Sequence, residues 1–99
     1  MMEQLFILPD AVQEIAEARS WYDDRAAGLG EKFLLQVEDC MKRILAHPDL
    51  YETVYKQYRR ALVRRFPYVI FYEYSRERTI VYSVFHTAQD PHKWRKRLP

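Results

Sequence analysis

The hydrophobic positions of this chain change period halfway along it. Gln4–Leu8 (QLFIL) is a short apolar run closed by Pro9 and is predicted as a strand. Pro9-Asp10 then opens a helix, with Asp10 the expected N-cap and Glu14 close behind it to meet the positive end of the dipole. Ala11, Ile15, Ala18 and Tyr22 recur at helical spacing, flanked by Val12 and Trp21. Arg25–Ala27 leads into Gly28-Leu29-Gly30, a break. A second helix is predicted from Glu31 to His47-Pro48. Leu34, Val37, Met41 and Leu45 form one row, expected to be buried against a sheet, and Phe33, Cys40 and Ile44 widen it. Two helices across a short break predict an antiparallel hairpin.

Beyond residue 58 the pattern is that of strands. Arg59–Phe66 (RRALVRRF), Tyr68–Tyr74 (YVIFYEY) and Thr79–His86 (TIVYSVFH) are rich in β-branched and aromatic residues. Pro67 and Ser75–Arg78 separate them, and connections this short predict hairpins, hence an antiparallel meander. Gln89–Pro99 is a basic tail in which Asp90-Pro91 marks a turn or a cap. The predicted order is β-α-α-β-β-β.

Composition narrows the class. With 99 residues the chain is expected to form one domain over 1–99, since nothing this short splits into two cores. It is 48% hydrophobic and 30% charged, too apolar for a disordered chain and too charged for a membrane protein. The first four residues show no signal-peptide pattern, and no apolar run is long enough to span a bilayer, so a cytoplasmic protein is expected. The one cysteine, Cys40, excludes an internal disulfide, and no histidine pair has metal-binding spacing.

Charge adds an asymmetry. Residues 1–49 hold 5 Lys+Arg against 10 Asp+Glu, a balance of −5, whereas residues 50–99 hold 11 against 4, a balance of +7. A basic half implies a surface that faces an anionic partner, either nucleic acid or an acidic protein segment. Arg59, Arg60, Arg64 and Arg65 are its densest part. On one strand, Arg60 and Arg64 would share a face, and Arg59 and Arg65 the other. Edge protection is the competing reading of such charge. Yet four arginines in seven residues exceed that need, and the guanidinium fork suits carboxylate or phosphate. His86, ending the last strand, is either a general acid or base or a structural residue bonded to backbone. The strand tyrosines read mainly as packing residues with a wet hydroxyl, Cys40 as a buried inert thiol, and Glu14, Glu17, Asp23 and Asp24 as a solvated helix face.

These segments resemble the ParE branch of the RelE/ParE toxin superfamily, from bacterial type II toxin–antitoxin modules and plasmid stabilisation systems. The motifs are Ala11–Tyr22 (AVQEIAEARSWY), Gly28-Leu29-Gly30 with Phe33-Leu34 and Val37-Glu38, His47-Pro48, Tyr58–Tyr72 (YRRALVRRFPYVIFY), and His86 followed by Asp90-Pro91 and Trp94. The resemblance implies an α+β domain, an antiparallel sheet covered by a helical hairpin. It also implies a toxin held inactive by a cognate antitoxin that Arg59, Arg60, Arg64 and Arg65 would contact, with no cofactor. In the RelE-like branch, ribosome-dependent mRNA cleavage uses a basic cluster on a strand that begins Tyr-Arg, where arginine offsets charge on the phosphoryl group. Here that strand begins Tyr68-Val69, leaving Arg60, Arg65 and His86 as a partial catalytic site. ParE toxins act on DNA gyrase and need no catalytic residue of their own, so the resemblance favours gyrase inhibition over RNA cleavage.

Overall fold

A computed structural model describes residues 4–99; the expectation that the chain opens on no signal peptide falls mainly on residues 1–3, outside the described residues. The elements are β1 (Gln4–Ile7), α1 (Pro9–Arg25), α2 (Leu29–Ala46), β2 (Thr53–Tyr55), β3 (Tyr58–Leu62), β4 (Tyr68–Ser75), β5 (Arg78–His86) and α3 (Pro91–Arg97). The α+β class and the β-α-α-β-β-β order hold, with β2 and α3 as additions.

The five strands form one sheet in the order β1-β5-β4-β3-β2. Its pairs are antiparallel except one: β1 runs parallel to β5, from Gln4 beside Arg78 to Ile7 beside Val81. The sheet is therefore mixed, correcting the expectation of a purely antiparallel one. Parallel neighbours need a crossover, and the α1–α2 hairpin supplies it between the first strand and the meander.

Local chemistry sets the helix ends. Leu8, not Asp10, is the cap residue of α1: it is extended (φ −68°, ψ 153°), and its N–H donates to Val81 O at 3.0 Å. Pro9 follows in the first turn, where a missing N–H costs nothing. Asp10 therefore sits inside the helix with no capping bond. Helix α2 begins two residues earlier than expected, after Gly28 in the left-handed region (φ 84°). Asp23, exposed as expected, also accepts from the Gly30 N–H at 2.8 Å and so satisfies an amide in the first turn of α2.

Both helices cover one face of the sheet. The α2 residues that reach the core are Phe33, Val37, Cys40, Met41 and Ile44, with Ala61, Ile70, Tyr72 and Val81 from the strands. Leu34 and Leu45, placed in the central row by the sequence, are only half-buried. The stripe is rotated toward Phe33, Cys40 and Ile44, because α2 packs against α1 as well as against β3.

The opposite face carries a second apolar cluster. Tyr58, Val69, Phe71 and Phe85 are buried there beneath Leu98, with Val54, Tyr55, Tyr82 and Trp94 around them. Helix α3 lies over this cluster, and Trp94 stacks on Phe71 with ring centroids 4.4 Å apart. Strand β3 is shorter than expected and ends at Leu62. Arg64 and Arg65 lie in the turn that follows, and Arg65 adopts φ 69°. Among the described residues no helix is long and apolar enough to cross a membrane.

Candidate functional site

The alternation of β3 divides the arginine cluster. Ala61 is fully buried under the helices, so Arg59 shares its face while Arg60 takes the other. Arg59 is half-buried, and its Nη1 donates to the carbonyls of Asp49, at 3.2 Å, and Tyr51. Those bonds tie the α2–β2 connection to the sheet, a structural job that occupies the guanidinium. Arg60 is exposed on the α3 side, with Nη2 3.1 Å from Glu52 Oε1. Arg64 and Arg65 are exposed at the β3–β4 turn. The four side chains thus form no single patch, because the strand ends before the second pair.

His86 closes β5 beside Tyr68, its ring edge-on with centroids 5.0 Å apart. Its Nδ1 accepts from the Ala88 N–H at 3.0 Å. In the neutral ring Nε2 must then carry the proton, so this histidine presents a donor. The side chain stands between two grooves. One, of about 470 Å³, runs between α1 and β5 past Glu17, Ala18, Trp21, Tyr68 and Gln89. Trp21 is half-exposed along it.

The other, of about 330 Å³, lies on the outer sheet face and brings together Arg60, His86, Trp94 and Arg95. Val69, Phe71 and Phe85 line it as well, and all three are almost wholly buried. Of the sequence-predicted site residues, Arg60 and His86 meet here, and Arg65 does not line the groove. No carboxylate lines it. His86 is the one imidazole among the lining residues, so the groove is equipped to bind an anion and offers at most a single acid or base. Among the described residues no group of three or more His, Cys, Asp or Glu side chains could hold a metal ion.

Trp94 and Arg95 were not among the expected site residues. Asp90-Pro91 was the available signal: Asp90 Oδ1 accepts from the His92 N–H at 3.0 Å and starts α3, which carries both over the sheet. Glu14 was also misjudged as a solvated residue. It lies largely buried against β5, where Oε1 accepts from the Val84 N–H at 3.0 Å and from Ser83 Oγ at 3.1 Å, and Oε2 pairs with Arg97.

Cys40 is buried, with Sγ 3.5 Å from Leu62 O. Burial pushes its thiol up to about 11. At neutral pH it is a protonated packing residue.

No curated protein matches the chain. Among solved structures, a chain described as "Chromosomal ParDE TA system from P. aeruginosa" is similar in fold. It superposes with a TM-score of 0.65 at 13% identity, covering 86% of this chain and 96% of that one. The family described as "ParE toxin of type II toxin-antitoxin system, parDE" matches residues 5–91, nearly the whole of both helices and the sheet. On that match, the chain belongs to the ParE toxin family of type II toxin–antitoxin systems.

Proposed function

We propose that the chain is a cytoplasmic toxin, acting as one domain over residues 1–99, that inhibits DNA gyrase by binding and is neutralised by a cognate antitoxin. The observation that carries the binding mode is Val69. At the position where the nuclease branch of the superfamily begins its strand Tyr-Arg, this chain has a valine, 5% exposed and paired with Leu62 and Phe85. An apolar floor supplies no charge to offset a phosphoryl transition state, and one such contact is worth about 10²–10³ in rate. A binding poison has no use for that charge.

For the antitoxin, two features support docking. The α1–β5 groove offers a half-exposed Trp21 beside Ala18 and Tyr68, and the exposed Arg64 and Arg65 suit an acidic segment. Arg59 drops out of the contact set because its guanidinium serves the loop carbonyls. The second reading is a metal-independent ribonuclease on ribosome-bound mRNA. The meeting of Arg60 and His86 in one groove favours it.

Purified protein added to a gyrase supercoiling reaction is expected to inhibit it, and co-expression with the adjoining reading frame is expected to give a complex that restores supercoiling. Rapid cleavage of translated mRNA, abolished by His86→Ala in a folded protein, would promote the nuclease instead. A chain that leaves supercoiling and mRNA intact while retaining the adjoining gene product would be an antitoxin-binding remnant.

A further inference from the structure

The outer groove joins three properties that the gyrase reading does not use. It holds two guanidiniums, from Arg60 and Arg95, together with the Nε2 donor of His86, whose Nδ1 accepts from the Ala88 N–H. It has no carboxylate among its lining residues; Glu52, the partner of Arg60, is 69% exposed and is not one of them. And it includes an aromatic side chain, Trp94, half-buried and held in place by its stack on Phe71. Lys93 and Lys96 add exposed positive charge on α3.

Each property narrows the occupant. Two planar donors, one of them paired only with the solvent-exposed Glu52, attract an anion of the phosphate or carboxylate class. The Arg95 guanidinium lies over the Trp94 ring, 5.4 Å from its centroid, and a flat, unpaired ring that takes that place gains a fixed indole to stack on while freeing Arg95 for a phosphate. Phosphates strung along a chain with a ring at each step are the chemistry of a single strand of nucleic acid. An acidic peptide has the charge but no ring at every step. Double-stranded DNA keeps its rings inside the stack, away from a groove of about 330 Å³.

We infer that the groove formed by Arg60, His86, Trp94 and Arg95 binds an unpaired DNA strand. The choice of DNA over RNA rests on the gyrase reading, since the target it names acts on DNA. Arg60 and Arg95 then hold successive phosphates, His86 donates from Nε2, and Trp94 packs against a base.

The test is a fluorescence titration of the full chain. Trp21→Phe leaves Trp94 as the one tryptophan reporter. An octamer of thymidylate is expected to quench it saturably, with affinity that falls as salt rises. Each phosphate contact contributes a logarithmic salt slope of about 0.7, so Arg60→Ala and Arg95→Ala should each weaken binding about tenfold and flatten the slope by that amount. Arg76→Ala, in the β4–β5 turn outside the groove, should change neither quantity by more than about twofold. A duplex of the same length should bind more weakly. No quenching, equal binding of an oligoglutamate peptide, tighter binding or cleavage of oligouridylate, or unchanged binding by both arginine variants would each overturn the inference. The two readings fail separately: gyrase inhibition without strand binding removes the groove, and strand binding without gyrase inhibition removes the target.

Discussion

Glu14 and Arg97 meet across 83 residues of chain and together serve the backbone of β5 beyond its contact with β1. Strand β1 stops at Ile7, and Leu8 makes its last bond to Val81. Just past that point the register of β5 slips, so that Phe71 faces Ser83 while Tyr72 faces Val81. Glu14 then accepts from the Val84 N–H, and Arg97 Nη2 donates to Tyr82 O at 3.1 Å. A side-chain pair thus takes the place of a strand, and it fastens α3 to α1 as it does so.

That arrangement predicts a coupled loss of stability. Glu14→Ala strands the Val84 N–H and leaves the partly buried Arg97 guanidinium with only Asp10 and Tyr82 O, and should cost about 2–4 kcal/mol. Arg97→Ala should cost less, because Glu14 keeps Val84 and Ser83. In urea denaturation the double variant should fall short of the sum of the singles by about 1–2 kcal/mol. Additive losses would show that the two residues act separately.

The rotated stripe of α2 gives a second comparison. Val37 is 1% exposed, whereas Leu45 is half-buried at the rim. Val37→Asp places an unpaired carboxylate in the core and should cost several kcal/mol, most of what a domain of this size has. Leu45→Asp lets the carboxylate reach water and should cost about 1–2 kcal/mol. Thermal melts of the two variants should differ widely, and equal melting would restore Leu45 to the core row.

Helices α1 and α2 were legible because each has one buried face, so its period survives in the sequence, whereas β4 and β5, buried in part on both faces, were legible as runs of β-branched and aromatic residues. Strand β2 was not, because three residues paired at an edge carry no period. The partner of β1 was also beyond reach: Gln4–Ile7 reads the same whichever strand it lies beside, and its parallel pairing is set by the crossover. At the site, His86 and Arg60 were identifiable by residue type. The separation of Arg59 from Arg60 followed from alternation, but the end of β3 before Arg64 did not. Glu14 failed as a solvated residue because its partners, Val84 and Arg97, are 70 and 83 positions away.

The two glycines should respond for different reasons. Gly30 packs so closely on α1 that an added Cβ would lie 2.5 Å from Arg19 O and 2.6 Å from Asp23 Cγ. Backbone oxygen cannot swing aside, so Gly30→Ala should cost about 2–3 kcal/mol by prising the hairpin apart. Gly28 has open space around it but φ 84°, so Gly28→Ala should cost only about 1 kcal/mol of backbone strain. Urea midpoints for the pair would check this ordering, and a costlier Gly28 variant would contradict it.

Alkali should unfold the protein through its tyrosines. Burial raises Tyr72 well above its ordinary value near 10, and its hydroxyl donates to Pro48 O at 2.7 Å, a bond that the phenolate cannot make. Burial also lifts Tyr82 to about 12, helped by the negative charge of Glu73. Burial raises Tyr58 and Tyr68 as well. The unfolded chain therefore gives up these protons first, near pH 10, and the folded chain holds them longer. Their contribution to stability is whole below pH 10 and is lost as pH rises toward 12. The base-induced loss of circular dichroism should begin above pH 10, and tyrosinate absorbance from the buried rings should appear only with it. Cys40, up near 11, should stay unreactive toward a thiol reagent at pH 8 until the same transition exposes it. Full tyrosinate absorbance near pH 10 with the dichroism intact, or a fast-reacting thiol in the folded protein, would contradict the burial on which this argument stands.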